Sequence, residues 1–251
     1  MRRLLIRPGA IGDVIVSLPA LESLRSDYLE VWTAARTVPL IRFASRVRAL
    51  SSTGLDLVGV AAPPERLLEE LRTFDSIVSW YGSNRGEFRD AVRGLPFTFH
   101  SALPPPDSSV HATDFYLQQV GAPPGAVPRI PLAVPRQDYA VIHPFSGSLR
   151  KNWPLDRFRA LAARLRMPVR WCAGDDDPPL PDAVRLPDLD ALARFLAAAR
   201  LYIGNDSGVT HLAAAVGTPT LAIFTTTDPR IWAPRGEHVR AAVSAAVPQL
   251  P

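Results

Sequence analysis

Short apolar segments alternate with amphipathic segments along the chain. Apolar runs bounded by Gly and Pro predict strands, and apolar residues spaced three or four positions apart predict helices. In the first half the pattern predicts strands at residues 3–6, 31–34, 57–60, 77–80 and 97–100 and helices at 14–25, 40–50, 65–71, 87–93 and 113–120. In the second half it predicts strands at 139–143, 169–172, 201–203 and 220–224 and helices at 154–165, 189–200 and 209–216. This alternation indicates an α/β protein with parallel sheets.

A proline-rich stretch separates the two sets of elements. Residues 121–137 contain five prolines, and proline fits neither a helix interior nor a central strand. We interpret the stretch as a linker between two Rossmann-like domains that face each other, an N-terminal one at 1–135 and a C-terminal one at 136–251. Ligands bind such sheets at the carboxyl ends of the strands, so the loops after the predicted strands are the candidate sites.

Composition narrows the class of protein. The chain has 251 residues, of which 47% are hydrophobic and 21% charged, and this excludes disorder and a coiled coil as the main state. No apolar run reaches the roughly 18 residues of a membrane span, so we expect a cytoplasmic protein. The one cysteine, Cys172, excludes an internal disulfide. The net charge is +4. Because no basic segment is interleaved with aromatic residues, we expect no nucleic-acid partner.

The loop after the first predicted strand reads Arg-Pro-Gly-Ala-Ile-Gly-Asp at residues 7–13. Gly9 and Gly12 let the backbone turn tightly and let a substrate approach closely. The loop lacks the third glycine of a dinucleotide fingerprint and the Lys-Ser/Thr pair of a P-loop. Asp13 has two interpretations: it stabilises the N-terminus of the following helix, or it projects from the strand edge as a general base.

The loop after the first strand of the second half combines small polar residues with positive charge. Residues 146–151 read Ser-Gly-Ser-Leu-Arg-Lys and come just before a helix start. Hydroxyls, backbone N–H groups and cations in this arrangement favour a phosphate, although a solvated basic loop would have the same composition. Lys151 is the one lysine among the 28 basic residues, which favours a role that needs a flexible, point-like ammonium.

A third loop follows the strand predicted at 201–203. It reads Gly-Asn-Asp-Ser-Gly at residues 204–208 and leads into a small, Ala-rich helix. Free backbone N–H groups at such a helix start form an anion site, here beside Ser207 and Thr210. Alternatively, Asp206 or Ser207 caps the helix and His211 packs in the core. The residues alone leave both interpretations open.

Three consecutive aspartates, residues 175–177, follow another predicted strand. Adjacent carboxylates in a proline-flanked loop are commonly solvated, and no histidine beside them in the sequence completes a ligand set. We therefore predict no metal site in the chain.

Three segments together resemble glycosyltransferase family 9, the ADP-heptose:lipopolysaccharide heptosyltransferases. They are residues 5–13, the loop from His143 through Ser146, Gly147, Lys151 and Trp153, and residues 205–214, which read Asn-Asp-Ser-Gly-Val-Thr-His-Leu-Ala-Ala. Weaker similarities lie at 111–117 and 227–234. The similarity spans nearly the whole sequence, which is identified as a short member of that family.

The resemblance implies a GT-B fold, an α/β architecture of two facing Rossmann-like domains with parallel sheets, and inverting transfer of a sugar without a metal or other cofactor. The acceptor would bind the N-terminal domain at the loop with Gly9, Ala10 and Gly12, and Asp13 would deprotonate its hydroxyl. Lys151 would stabilise the departing diphosphate as the second catalytic residue. The resemblance implies these further donor-binding residues: Ser146, Gly147, Arg150, Asp206, Ser207, Gly208, Val209, Thr210 and His211, with Asp175 at the ribose.

The expected function is transfer of heptose from ADP-heptose to a cell-envelope glycan such as the lipopolysaccharide core, in the cytoplasm or at the inner-membrane surface. The expected partners are this nucleotide-sugar donor and a glycan or glycolipid acceptor, and no protein partner is inferred. A non-catalytic nucleotide-sugar binding protein is the alternative. An NAD-dependent dehydrogenase is disfavoured, because the dinucleotide fingerprint is missing.

Overall fold

Two parallel five-stranded sheets form the frame of the computed structural model, which describes residues 1–186 and 188–244. The first half contains β1 (Arg2–Ile6), α1 (Ile11–Ser23), β2 (Tyr28–Thr33), β3 (Arg46–Ala49), α2 (Glu65–Arg72), β4 (Ser76–Ser79), α3 (Gly86–Ala91), β5 (Phe97–Phe99) and α4 (Ala112–Gln119). The second contains β6 (Ala140–His143), α5 (Leu155–Ala162), β7 (Val169–Trp171), α6 (Leu189–Ala198), β8 (Leu201–Asn205), α7 (Gly208–Ala215), β9 (Thr220–Phe224), α8 (Pro229–Trp232) and β10 (Val239–Val243). Short 3-10 helices lie at Ala35–Leu40, Leu50–Ser52, Leu55–Leu57 and Leu149–Lys151.

The order of the strands creates one switch point in each sheet. The first sheet has the order β3-β2-β1-β4-β5, and the second has the order β10-β9-β8-β6-β7. The chain therefore moves outward in opposite directions from β1 and β4 in the first sheet, and from β6 and β8 in the second. Loops that leave such neighbouring strands on opposite faces open a crevice at their carboxyl ends, where α/β proteins bind ligands.

Helices α1 and α7 bring the two sheets together at their crevices. These helices follow β1 and β8, and they pack against each other with Gly12 facing Gly208. A Cβ atom on Gly208 would lie 2.9 Å from the Cβ of Ile11 and 3.0 Å from the backbone N of Gly12. Only glycine at 208 allows the two helix starts to approach this closely. The same buried core cluster continues through both halves, with Leu5 on one side and Leu212 on the other.

Polar contacts also join the halves. Arg235, just after α8, makes a bidentate ion pair with Asp114 on α4, with one N···O distance of 2.7 Å. His111, which caps α4, places Nε2 2.9 Å from the carbonyl oxygen of Ala233. Hydrogen bonds from Arg235 hold the pKa of Asp114 at about 2. The segment at 233–235 thus binds back to a helix of the first half; we call this contact the clasp.

The pattern of the sequence predicted most of these elements. The predicted α/β class with parallel sheets is confirmed, and strands or helices occur at all but two of the predicted positions. The proline-rich residues 121–137, all of which the structure describes, contain no helix or strand, as predicted. Within the described ranges no helix is both long and apolar enough to cross a bilayer.

Two predicted elements are wrong, and two were missed, the one-turn helix α8 and strand β10. Residues 40–50 contain β3 in place of a helix, because residues alternate there with period two: Val47 packs on the core while Arg48 pairs with glutamates. Residues 57–60 form no strand, because Gly54 and Gly59 take φ of 78° and 85° and turn the chain. Strand β10 was missed because Gly236 and a short, half-exposed segment gave a weak apolar pattern.

Candidate functional site

A cavity of about 580 Å³ lies where the carboxyl ends of the two sheets face each other. From the first half it is lined by residues 10–13 and by Arg36 of the first 3-10 helix. From the second half it is lined by residues 146–148, Lys151, residues 174–177, residues 206–209 and His211. The structure therefore brings together all three loops that the sequence singled out. Arg36 was not predicted, because nothing in the sequence distinguishes it from the many other arginines.

Asp13 lies in the first turn of α1, which begins three residues earlier than predicted. One carboxylate oxygen accepts a hydrogen bond from the backbone N–H of Ala10 at 3.3 Å. The carboxylate thus supports the helix start, and it also lines the cavity. The two interpretations of Asp13 are compatible, because a carboxylate that accepts one long hydrogen bond still has free lone pairs.

Arg7 holds the loop that presents Asp13, a role that sequence reasoning missed. Its guanidinium is buried and donates to the carbonyl oxygen of Pro8 at 2.8 Å, to that of Asp13 at 3.0 Å and to the hydroxyl of Tyr116 at 2.9 Å. Burial raises the pKa of Tyr116, although the nearby Arg7 opposes that rise. A planar group with several donors can fix a turn in this way.

Lys151 and Asp206 form an ion pair between the second and third loops. The Nζ atom of Lys151 lies 2.7 Å from Oδ2 of Asp206, and the hydroxyl of Thr227 donates to the same oxygen at 2.7 Å. The side chain of Asp206 is 6% exposed and that of Lys151 is 33% exposed. The carboxylate therefore anchors the ammonium, which keeps its accessible surface at the cavity.

Asn205 connects the same two loops through hydrogen bonds of its side chain. Its Nδ2 donates to the carbonyl oxygen of Pro144 at 2.7 Å, and its Oδ1 accepts from the backbone N–H of Trp153 at 2.9 Å. The side chain is fully buried, so the loop around Lys151 is fixed to the end of β8. This role of Asn205 was not predicted, because its partners are about 50 to 60 residues away in the sequence.

The start of α7 combines the two interpretations of the third loop. Ser207 caps the helix by accepting from the backbone N–H of Thr210 at 3.3 Å. Gly208 and Val209, the first residues of the helix, line the cavity, and backbone N–H groups at this position have no partner within the helix. Burial lowers the pKa of His211 well below its usual range, so the imidazole that packs against Gly12 is neutral at neutral pH.

Two predicted donor-binding residues do not line the cavity. Thr210 is fully buried, and its hydroxyl donates to the carbonyl oxygen of Asn205. Arg150 lies in the 3-10 helix beside Lys151, but its side chain is exposed away from the cavity lining. Both residues were predicted from their positions in the loops, and a sequence position does not fix the direction of a side chain. Ser146 and Gly147 line the cavity, and their contact with a donor stays a prediction.

The aspartates after β7 also reach the cavity, and a histidine is close to them in space. Asp177 Oδ2 lies 3.0 Å from Nε2 of His143 and accepts from the backbone N–H of Gly174 at 2.6 Å. Burial of Asp177 opposes ionisation, but these two hydrogen bonds together with the nearby positive charge of Arg185 outweigh it, so its pKa is lowered. Asp175 and Asp176 are exposed at the cavity. In residues 1–186 and 188–244, no three or more His, Cys, Asp or Glu side chains are placed so that they could hold a metal ion together.

The fold and the cavity define a two-domain α/β protein of the GT-B type. The solved structure of Escherichia coli heptosyltransferase WaaC with ADP superposes with a TM-score of 0.71 at 18% identity, covering 98% of this chain and 96% of that one. A glycosyltransferase family 9 structure from Veillonella parvula gives a TM-score of 0.73 at 17% identity, covering 96% of this chain and 85% of that one. These matches confirm the predicted fold.

Sequence comparison finds similarity to one family over part of the chain. Residues 186–251 match the model of glycosyltransferase family 9 (heptosyltransferase), which agrees with the resemblance of the motif at 205–214. Lipopolysaccharide heptosyltransferase 3 of Escherichia coli is 34% identical over 119 residues, which are 39% of this chain and 34% of the relative. Lipopolysaccharide heptosyltransferase 1 of Pseudomonas aeruginosa is 35% identical over 111 residues, 39% of this chain and 31% of the relative. The matched part thus spans about a third of the length of these curated relatives.

Proposed function

We propose that the protein is an inverting glycosyltransferase that moves a heptose from ADP-heptose to a hydroxyl of a cell-envelope glycan such as the lipopolysaccharide core, without a metal ion. One observation carries the proposal. A single cavity holds a carboxylate on the side of the first half, Asp13, and a cation on the side of the second half, Lys151. We assign the acceptor to the N-terminal domain, 1–135, and the donor to the C-terminal domain, 136–251.

The second half supplies the groups that a nucleoside diphosphate needs. Lys151, the start of α7 at Gly208 and Val209, and the loop with Ser146 and Gly147 all line the same cavity. Backbone N–H groups at a helix start and an ammonium both stabilise phosphate oxygens. These donors are fixed before the reaction by Asn205 and Asp206, so little reorganisation is needed as negative charge develops on the leaving diphosphate.

Asp13 is the proposed general base. The acceptor oxygen attacks the anomeric carbon of the sugar and gives its proton to the Asp13 carboxylate, while the bond from that carbon to the diphosphate breaks and its electron pair leaves with ADP. One displacement of this kind inverts the configuration at the carbon. The base and the leaving-group cation must therefore lie on opposite sides of the sugar, and the placement of Asp13 and Lys151 in different halves supports this.

The comparisons support the choice of donor and acceptor. The curated relatives are lipopolysaccharide heptosyltransferases, and one similar structure was solved with ADP. For this chain we propose the same donor class, with the exposed carboxylate of Asp175 accepting hydrogen bonds from the ribose hydroxyls. Asp13 at the cavity favours a transferase over a protein that only binds the nucleotide sugar.

A turnover assay tests the proposal. The purified protein is incubated with ADP-heptose and a set of core-oligosaccharide acceptors, and released ADP is measured with and without a chelator. We expect acceptor-dependent ADP release that the chelator leaves unchanged. Activity that disappears with the chelator and returns with Mg²⁺ would contradict the metal-free mechanism, and absence of transfer with every acceptor would contradict the function.

A further inference from the structure

His143 is a buried residue at the cavity whose position the proposed reaction does not explain. It is the last residue of β6, a strand in the interior of the second sheet, and it is 3% exposed. Its Nε2 lies 3.0 Å from Asp177 Oδ2, while its Nδ1 is buried without a hydrogen-bond partner in the described parts of the chain. The polar contact of this imidazole within those parts is therefore directed to Asp177.

Asp177 in turn closes the loop after β7 into a tight turn, residues 174–177. Its carboxylate accepts from the backbone N–H of Gly174 at 2.6 Å, and its own backbone N–H donates to the carbonyl oxygen of Gly174 at 3.2 Å. Asp175 and Asp176 lie inside the turn, are exposed at the cavity and make no hydrogen bond or ion pair with other described residues. Arg185 supports the same turn, since its guanidinium donates to the carbonyl oxygens of Gly174 and Asp177. One aspartate of the three thus helps to fix the turn, and two are left free.

We propose that His143 is a positioning residue for the nucleotide: it holds Asp177, and through it the turn at 174–177, so that the Asp175 carboxylate faces the ribose hydroxyls. This inference rests on the proposed function, because it requires a nucleoside diphosphate in the cavity. An exposed loop has many conformations, and fixing each of its residues costs conformational entropy. The hydrogen bond from His143, which lies in a central strand, orders the turn already in the free protein. Nucleotide binding then does not have to order the turn.

The distinguishing measurement is the discrimination between ribose and a sugar without the two hydroxyls. Binding of ADP and of 2′,3′-dideoxy-ADP is measured by calorimetry for the wild type and for His143→Leu, His143→Gln, Asp177→Ala and Asp175→Asn. The Gln amide can still donate to Asp177, so His143→Gln is the conservative variant. Asp138→Asn is the matched control, since Asp138 forms an exposed ion pair with Arg200. Circular dichroism identifies the variants that fold.

We expect the wild type to bind ADP about 10 to 100 times more tightly than the dideoxy compound, as hydrogen bonds to a charged group imply. The ratio of the two affinities should fall at least fivefold in His143→Leu, Asp177→Ala and Asp175→Asn, and it should stay near the wild-type value in His143→Gln and Asp138→Asn. A purely structural His143 would lower the melting temperature and leave the ratio unchanged. If His143→Leu does not fold, Asp177→Ala removes the same bond from its other end.

The possible failures are distinct. A wild-type protein that binds neither nucleotide would overturn the proposed function. A wild type that binds both equally, or a folded His143→Leu or Asp177→Ala protein with an unchanged ratio, would overturn the positioning role and leave the transferase proposal intact.

Discussion

Replacing Asp13 by Asn separates the two roles that the structure gives to this carboxylate. The variant keeps the size of the side chain and an oxygen that can accept from the backbone N–H of Ala10, which is 3.3 Å away. It removes the negative charge at the start of α1, which is worth about 0.3–1 kcal/mol. For a protein of this size, 1 kcal/mol changes the melting temperature by about 2–4 °C. We therefore expect the melting temperature to fall by no more than about 4 °C.

The effect on the transfer rate should be much larger. An amide cannot take the proton of the acceptor hydroxyl, and losing a general base lowers the rate by about 10² to 10⁴-fold. That change corresponds to about 2.7–5.4 kcal/mol in the activation free energy, several times the stability effect. ADP affinity should change less than about threefold, since the diphosphate contacts proposed here come from the second half of the molecule.

Three measurements on two variants test this reasoning. Transfer rate at saturating donor, ADP affinity by calorimetry and melting temperature are compared for Asp13→Asn and for Asp156→Asn. Asp156 also lies in the first turn of a helix, α5, but it is exposed and forms a surface ion pair with Arg159, so its variant should show a similar small stability change and a wild-type rate. Wild-type turnover in Asp13→Asn would remove Asp13 from the mechanism. A melting temperature lowered by 10 °C or more would show that its structural role dominates.

Further outcomes follow from the ion pairs and the helix contact. Lys151→Ala should lower the transfer rate by about 10²-fold or more. It should also cost about 1–3 kcal/mol of stability, because it leaves Asp206 buried without its cation. Lys151→Arg should recover only part of the rate, and full recovery would disprove the need for a point charge. Gly208→Ala should cost about 1–3 kcal/mol by overpacking and slow transfer, whereas Gly86→Ala, which meets no atom within 4 Å, should do neither; equal melting temperatures would refute the close contact. Asp114→Asn should melt below the wild type at pH 6, and the difference should shrink as the pH falls from about 4, the unfolded pKa, to about 2, the folded pKa; a difference independent of pH would refute the ion pair.

The sequence revealed the parts of the site that depend on local chemistry. Glycines and small polar residues after β1, β6 and β8 predicted the three loops, because a backbone that must turn sharply at a strand end favours these residue types. Strand order then placed the loops at one cavity. Lys151 was recognised because it is the one lysine among the basic residues.

Contacts between distant segments could not be predicted in the same way. The bond between Lys151 and Asp206 joins residues 55 positions apart, and it depends on β6 and β8 being neighbours in the sheet. The bond between His143 and Asp177 likewise requires β7 to pair with β6. The role of Arg7 could not be predicted, because the sequence of an arginine-rich chain does not distinguish a buried arginine from an exposed one.

The clasp has a consequence for how the protein is made. Asp114 and Arg235 are separated by 121 positions, so helix α4 emerges from the ribosome long before the residues that neutralise and cover it. Until translation reaches Arg235, the nascent first half carries an unpaired carboxylate and lacks the part of its core that Leu212 and its neighbours complete. The first sheet can form early, but the first half reaches its full stability only after Arg235 has been synthesised. A chain that ends before residue 233 would therefore be less stable around α4, in the half that is synthesised first.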